Sequence, residues 1–348
     1  MLGAGFASGQ EVLQYFTSHG IIGVLGAFIV AVLFGIMGML LVRIGFRLQA
    51  TSHHEVIHQI SGRYLGKAFD IILMLTLFGI GVVMLAGAGP IFNQQFGIPT
   101  FLGTLLMSTL VLLTIMTGVE RVVRVIAFIT PVFLLIIVFI NIYSALNIEH
   151  SFNNLENMAL QQNSISSNWL FSSINYLAVV TLTNAAMLFI MGGNETKEKQ
   201  ALFGGLLGGF FCGILVLVST LAIYVNIEVM AGVQIPTLVL ANQISPLFGF
   251  IFSIALFGMI YSTAVSLFFS FNSRFFQPKT RKFNGFSILT LIVAFGLGLF
   301  GFSDLVSVVF PLVGYSGMAF IVVVIVATFR LNHIFKSMPS TTEQEKSG

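Results

Sequence analysis

Glu11 is the one acidic residue of this chain that lies well inside an apolar stretch, within the run Gly3-Ala4-Gly5-Phe6-Ala7-Ser8-Gly9-Gln10-Glu11. A carboxyl at membrane depth is costly and marks function by default: it can hold a proton, a cation or an amine-bearing solute. The plainer role is structural. Ser8 and Glu11 stand at the S-x-x-E spacing of a capping box, and the same carboxyl could simply satisfy backbone N–H groups at a helix start. Both readings stay open, and Gln10 beside it is divided in the same way. Two other hydrogen-bonding groups fall inside apolar stretches: Tyr176 with Thr181, Thr183 and Asn184, and Tyr261-Ser262-Thr263. Finally, His54-Glu55-Val56-Ile57-His58 matches H-E-x-x-H, which puts two imidazoles on one helix face with a glutamate as base. A catalytic zinc needs a third ligand, and only His53, Asp70 or Glu120 are candidates. The motif sits in a basic connector, so a solvated amphipathic turn is the simpler reading. Neither metal nor catalysis is expected, and zinc proteolysis is kept only as an alternative.

The elements that must position these groups follow from composition. Of 348 residues 57% are hydrophobic and 8% charged, whereas a soluble domain carries roughly 25% charge. Disordered chains are excluded with soluble ones. A net charge of +3 is too small and scattered for a phosphate-tracking surface, whatever the pI. The single cysteine, Cys212, rules out an intrachain disulfide. The expected architecture is all-α and integral to a membrane, with the lipid bilayer as its partner and no nucleic acid. Stretches able to cross roughly 30 Å of hydrocarbon recur near 21–42, 68–91, 100–118, 122–144, 168–191, 202–226, 245–271, 285–301 and 305–329. With 1–19 that makes about ten segments.

All fifteen Lys and Arg residues fall on alternate connections: 43–67, 121–124, 197–199, 274–282 and from 330 onward. The opposite connections hold Glu149, Glu156, Glu228 and Asp304. The positive-inside rule makes the basic face, and with it the C-terminus, cytoplasmic. The outer loop 145–167 is expected to form a surface helix, and the tail from Ser337 is polar. On segment seven, Gly204, Gly205, Gly208, Gly209 and Gly213 read as close-packing positions. On segment eight, Gly258, Ser262, Ser266 and Ser270 read as a small-residue packing stripe. Segment one has three glycines between Gly3 and Gly9, each poor in a helix by about 1 kcal/mol. That describes a broken membrane helix, unwound at the glycines, of the kind that builds substrate and ion sites near the midplane.

The run Gly3–Glu11 resembles the signature of YkvI-type bacterial membrane proteins. The stretch Met84-Leu85-Ala86-Gly87-Ala88-Gly89-Pro90-Ile91-Phe92-Asn93-Gln94-Gln95-Phe96-Gly97-Ile98-Pro99 is similar to a second block of that family. The resemblance implies the LeuT-type fold of the amino acid–polyamine–organocation superfamily. That fold has two inverted five-helix repeats, here 1–144 and 168–329, an extracellular loop 145–167 between them and a cytoplasmic tail 330–348. It implies a multi-pass protein of the bacterial plasma membrane that moves an amino acid or related amine-bearing solute by alternating access. A non-transporting sensor or assembly protein of the same fold is the other alternative.

By the same resemblance helices one and six are broken, the second at 181–184. Gly3, Ala4, Gly5, Gln10, Tyr176, Thr181, Thr183 and Asn184 then line the substrate site. The plain reading of Thr181, Thr183 and Asn184 is bonding to their own helix or a neighbour. The resemblance also sets Ser262 and Thr263 against carbonyls near Gly3, Ala4 and Phe6 as a sodium site, with a proton on Glu11 as the rival coupling ion. No other cofactor is implied. LeuT-type chains carry an apolar half-helix before the glycines, and here only Met1 and Leu2 precede Gly3, so helix one is expected to lack its inner half.

Overall fold

The computed structural model describes residues 4–50, 52–117, 120–147 and 154–337. Regular structure among them is helical. The first half comprises α1 (Ala4–Ser8), α2 (Gln10–Tyr15), α3 (Ile21–Arg47), α4 (His53–Phe96), α5 (Thr100–Thr117) and α6 (Glu120–Leu146). The short α7 (Leu155–Leu160) leads into α8 (Trp169–Gly193), α9 (Glu198–Val225) and α10 (Pro236–Ile244). The chain ends with α11 (Pro246–Ser273), α12 (Arg281–Gly298) and α13 (Phe302–Ser337).

Seven of these helices are long and apolar enough to cross a membrane: α3, α4, α5, α8, α9, α11 and α13. The apolar part of α6, Phe133–Leu146, is shorter. The 18-residue α12 begins with Arg281, Lys282 and Asn284 and falls outside that group. Exposed apolar rows complete the picture. Ile21, Leu25, Phe28 and Val32 of α3 share one helix face and are all more than 40% exposed. Against water that face would forfeit about 25 cal/mol per Å²; against hydrocarbon it is at home. The protein is a multi-pass membrane protein.

Glycine sets how closely α3 and α9 approach. A side chain on Gly205, Gly209 or Gly213 would meet the α3 backbone at Gly38, Phe34 and Ala31. The regular spacing promises more than the packing uses, because Gly204 and Gly208 face open space. The stripe on α11 fails similarly: Ser262 is buried, but Gly258 is open and Ser266 and Ser270 are exposed. At the basic face, Glu198 of α9 holds Arg43 at 3.2 Å and Arg47 at 3.1 Å on α3. Such half-exposed pairs contribute at most ~1 kcal/mol and mainly fix register.

The opposite face is capped by side chains. Asn168 accepts from the N–H groups of Leu170 and Phe171 at 3.0 and 3.1 Å and so starts α8, in the usual manner of an asparagine N-cap. The expected surface helix in 145–167 is present as α7, but it is tucked in, with Leu155 and Ala159 buried. Its Glu156 carboxylate accepts from the Ile21 N–H at 2.9 Å and the Tyr224 hydroxyl at 3.0 Å, linking α7 to α3 and α9.

Helix α4 is two helices joined at Gly62, whose φ of 75° and ψ of 178° leave the helical region. The turn brings His58 to Asp70, Nε2 to Oδ2 at 3.1 Å. Sequence spacing left Asp70 without a paired motif; the bend at Gly62 supplies the partner. Glu55 is exposed, and the side chain of His54 lies outside the described residues.

Candidate functional site

The first segment differs from every other helix in its surroundings. Each residue from Gly5 to Gly20 is buried, so no side of it meets lipid. Irregular backbone at membrane depth is tolerated only where protein or a polar cavity covers it, and here protein covers it throughout. Ala4–Ser8 is helical, so the break is confined to one residue rather than spread over the glycine-rich run. That residue is Gly9, with φ 79° and ψ −8°, a left-handed conformation that costs other residues roughly 1–2 kcal/mol. A side chain there would also press on Pro236 at 3.1 Å and on Ile223 and the Thr237 N–H at 3.2 Å.

The capping box is only half formed. Ser8 Oγ donates to the Gly5 carbonyl at 2.6 Å and accepts from the Gln10 N–H at 3.2 Å, which ties the two halves together across Gly9. Glu11 does not cap α2, whose N-cap is Gly9. Its carboxyl folds back over Gly5, where a Cβ atom would coincide with Oε1. The Thr237 hydroxyl of α10 donates to the Ala7 carbonyl and covers the break.

Around this carboxyl lies a cavity of about 200 Å³. It is lined by Gly5, Phe6 and Glu11 from the first segment, Tyr176, Val179, Val180, Thr183 and Asn184 from α8, and Thr263 and Leu267 from α11. Helix α4 adds Thr76 and Met84 among others, and α13 adds Phe310. A mostly apolar wall with a few convergent polar groups is the usual form of a small-molecule site. The Tyr176 hydroxyl is beside Glu11 but outside hydrogen-bond geometry, and it has no other partner among the described residues. At the end of the cavity nearer the basic face, Thr183 is exposed and Asn184 half-buried.

Toward the other face the path is shut. Tyr15 donates to Asn175 Oδ1 at 2.9 Å, and the Asn175 amide donates to the Pro311 carbonyl at 3.3 Å, joining α2, α8 and α13. Tyr15, Phe16, Phe34 and Tyr176 stack into one aromatic layer with ring centroids 5.1 to 6.5 Å apart. Gln10 Nε2 donates to Ser303 Oγ at 2.7 Å, and Gln14 Nε2 donates to the same oxygen at 3.0 Å.

Of the residues singled out from sequence, Gly5, Phe6, Glu11, Tyr176, Thr183, Asn184 and Thr263 therefore meet at one cavity. Gln10 does not: it lines a second cavity toward the charge-poor face. Thr181 is buried and does not line the cavity, and Gly3 lies outside the described residues. Ala4 begins α1. Ser262 and Thr263 both donate to the Met259 carbonyl, at 2.7 and 2.9 Å. Thr76, Met84 and Phe310 were not singled out from sequence. Thr76, a lone hydroxyl midway along segment three, was the available signal.

The expected second break is absent. Helix α8 is continuous from Trp169 to Gly193. Thr181 donates to the Leu177 carbonyl at 2.7 Å, Thr183 to Val179 at 2.8 Å and Asn184 to Val180 at 2.8 Å. These side chains bond their own helix one turn back and leave its ladder whole.

Comparison with known proteins finds two bacterial relatives along nearly the whole chain, one of them named as a membrane protein. The chain is 26% identical to the membrane protein YkvI of Bacillus subtilis (strain 168) over 325 residues, covering 92% of this chain and 91% of YkvI. It is a homologue of YkvI. It is also 24% identical over 329 residues to YyaD of the same organism, covering 92% of each chain. No protein-family model matches the chain. Among solved structures, a crystal structure of an Eremococcus coleocola manganese transporter mutant aligns with 98% of this chain and 86% of its own, at 13% identity and a TM-score of 0.49. The match to YkvI runs along nearly the whole chain, and of the two blocks of the YkvI-type resemblance Gly5, Phe6, Glu11 and Met84 line the central cavity.

Proposed function

We propose that this YkvI homologue is a secondary active transporter of an amino acid or a related small amine-bearing solute, working by alternating access. The observation that carries this reading is the first segment: a helix broken at Gly9, buried on every side, presenting Glu11 to a cavity of about 200 Å³. A purely structural helix gains nothing from a break and a buried carboxyl, each of which costs stability. A carboxyl among hydroxyls and apolar groups suits a solute with one ammonium and a small apolar body.

The fold we propose for it is the LeuT-type arrangement of two inverted five-helix repeats, 1–144 and 168–329, about ten segments in all, with the basic face and the C-terminal tail 330–348 in the cytoplasm. Contact between α2 and α8 at Tyr15 and Asn175 suits helices that begin the two repeats. Because α8 is unbroken, rocking would turn on the single break at Gly9. Opening toward the charge-poor face then requires the bonds of Tyr15 to Asn175 and of Gln10 and Gln14 to Ser303 to part.

For coupling we favour sodium at Ser262 and Thr263. Both hydroxyls spend their protons on the Met259 carbonyl and so keep lone pairs free for a cation, as hard oxygen ligands must. A proton on Glu11 is the rival. The test is uptake of labelled amino acids and small amines into proteoliposomes under sodium, potassium or proton gradients. We expect concentrative uptake that needs sodium and loses this need when Ser262→Ala is combined with Thr263→Ala. Uptake that keeps its sodium dependence in the double variant sinks the ion assignment. A shifted pH dependence in Glu11→Gln would transfer the role to the carboxyl. No gradient-driven uptake of any amine-bearing solute would sink the transport reading itself.

A further inference from the structure

The hydroxyls of this bundle are not equivalent. Thr104, Thr114, Thr220 and Thr290 each donate to the carbonyl one turn back on their own helices. On the wall of the central cavity Thr183 and Thr263 do the same, at 2.8 and 2.9 Å. Thr76 does not. It is 6% exposed, it lines the cavity, and it makes no hydrogen bond among the described residues. Its oxygen is not sealed in, whereas that of Tyr176 is enclosed without a partner. A buried hydroxyl that leaves its own helix carbonyl unused costs stability unless a ligand answers it.

Donors are scarce on this wall. Asn184 spends its amide N–H groups on the Val180 carbonyl at 2.8 Å and on Thr183 Oγ1 at 3.2 Å. Thr76 is therefore the one side-chain donor left open to a solute among the described lining residues. Acceptors are plentiful: the Glu11 carboxyl, the Asn184 amide oxygen and the lone pairs of Thr183 and Thr263. No Lys, Arg or His is among the lining residues. An ammonium brings three N–H donors and a positive charge to such a wall. A solute carboxylate, with about four acceptor sites, would meet one hydroxyl and no side-chain cation. Burying a charge so poorly partnered is costly. A neutral hydroxyl on the solute needs only the single donor that Thr76 holds.

We propose that this cavity selects a small primary amine carrying a neutral hydroxyl in place of a carboxylate, that is, an amino alcohol with an apolar body. Glu11 takes the ammonium, Thr76 donates to the hydroxyl, and Leu73, Leu77, Ile80 and Phe310 hold the apolar part. This selectivity rests on the reading of the cavity as the transported solute's site, and Thr76 is the residue that sets it.

Three solutes that differ at one carbon test it: L-leucinol, L-leucine, which has a carboxylate there, and 1,3-dimethylbutylamine, which has a methyl. The full chain in lipid nanodiscs is melted against each, and half-saturating concentrations are read from the stabilisation. A sodium ion at Ser262 and Thr263 would offset a solute carboxylate, so the series is run in sodium chloride and again in potassium chloride. We expect leucinol to bind about tenfold tighter than leucine in both salts, and about threefold to tenfold tighter than the methyl analogue. Thr76→Val, which keeps the shape of the side chain and removes the hydroxyl, should erase the preference for leucinol over the methyl analogue. Thr76→Ser should keep it. The wild-type series stands whether or not a variant folds. Three results would overturn the proposal: leucine binding as tightly as leucinol in either salt, a preference unchanged in Thr76→Val, and no stabilisation by either amine. Tighter binding of leucine together with its gradient-driven uptake would sink the selectivity and leave the transport reading standing. The expected binding pattern without uptake of any amine would do the reverse.

Discussion

Two helices meet near the middle of this protein, and both carry polar residues midway along their length. The first segment breaks and α8 does not. Each has a centre buried on all sides, Gly5 to Gly20 in one and Asn175 to Leu182 in the other. Burial therefore does not decide. The difference is what each backbone can do at its polar positions. Gly9 reaches a left-handed conformation without a steric penalty, and Ser8 bridges the gap from both sides. Thr181, Thr183 and Asn184 have Cβ atoms that resist such a turn, and they have a cheaper option one turn back along their own helix. Polar residues inside a membrane helix thus mark a break only where the backbone can also leave the helical region.

The sharpest way to break this comparison is to take away the turn. Gly9→Val puts a β-branched residue at φ 79° and drives its side chain toward Pro236 and Thr237. Left-handed strain alone costs roughly 1–2 kcal/mol, and overpacking adds about 1 kcal/mol or more. We expect a loss of about 3 kcal/mol in thermal or denaturant unfolding and uptake reduced to background. Wild-type stability in this variant would mean that the break at Gly9 is not required.

Gly5→Ala comes next, and it acts through a neighbour. The added methyl takes the place of the Glu11 carboxyl, which must swing out of its position. We expect a cost of about 2 kcal/mol and coupling behaviour like that of Glu11→Gln. In a Glu11→Ala background the same substitution should be nearly neutral, since alanine favours the helical α1 by up to ~1 kcal/mol over glycine. Additive effects, measured by a double-mutant cycle, would show that the two residues are not in contact.

These contrasts also mark what can be read along a sequence. Apolar stretches at 21–42, 68–91, 168–191 and 202–226 fall on α3, α4, α8 and α9, because bilayer thickness and hydropathy are properties of contiguous residues. A break in segment one was legible from its glycines, but not which glycine, because Gly5 could remain helical. The pairing of His58 with Asp70 was hidden by the bend at Gly62. The separation of Gln10 from Glu11 into different cavities was hidden too, since it depends on Ser303 approaching α2 from 293 residues away in the chain. Local chemistry is visible in order of sequence; the division of labour between cavities is made by packing partners that sequence order does not bring together.

A third test addresses the joint between the two helices. Tyr15→Phe removes the hydroxyl that donates to Asn175 at 2.9 Å while keeping its place in the aromatic layer. The buried Asn175 oxygen is left without that donor, at a cost of about 1–2 kcal/mol. If the bond also latches the charge-poor side shut, the variant should admit water-soluble thiol reagents more readily to a cysteine placed at Met84 on the cavity wall. Unchanged labelling would make the bond structural only.

The smallest effect is expected where the comparison is most exposed to error. Thr183 lines the cavity, yet its hydroxyl is spent on the Val179 carbonyl, which the helix ladder already uses. Thr183→Ala therefore removes a redundant bond, replaces a β-branched residue with the best helix former, and should change stability by no more than ~0.5 kcal/mol. Its effect on uptake should be a modest change in KM, because wall shape alters while helix geometry does not. A large fall in the maximal rate with unchanged stability would mean that α8 unwinds at this position during the transport cycle. The second break would then belong to a different conformational state, and the contrast between the two helices would be one of timing rather than of sequence.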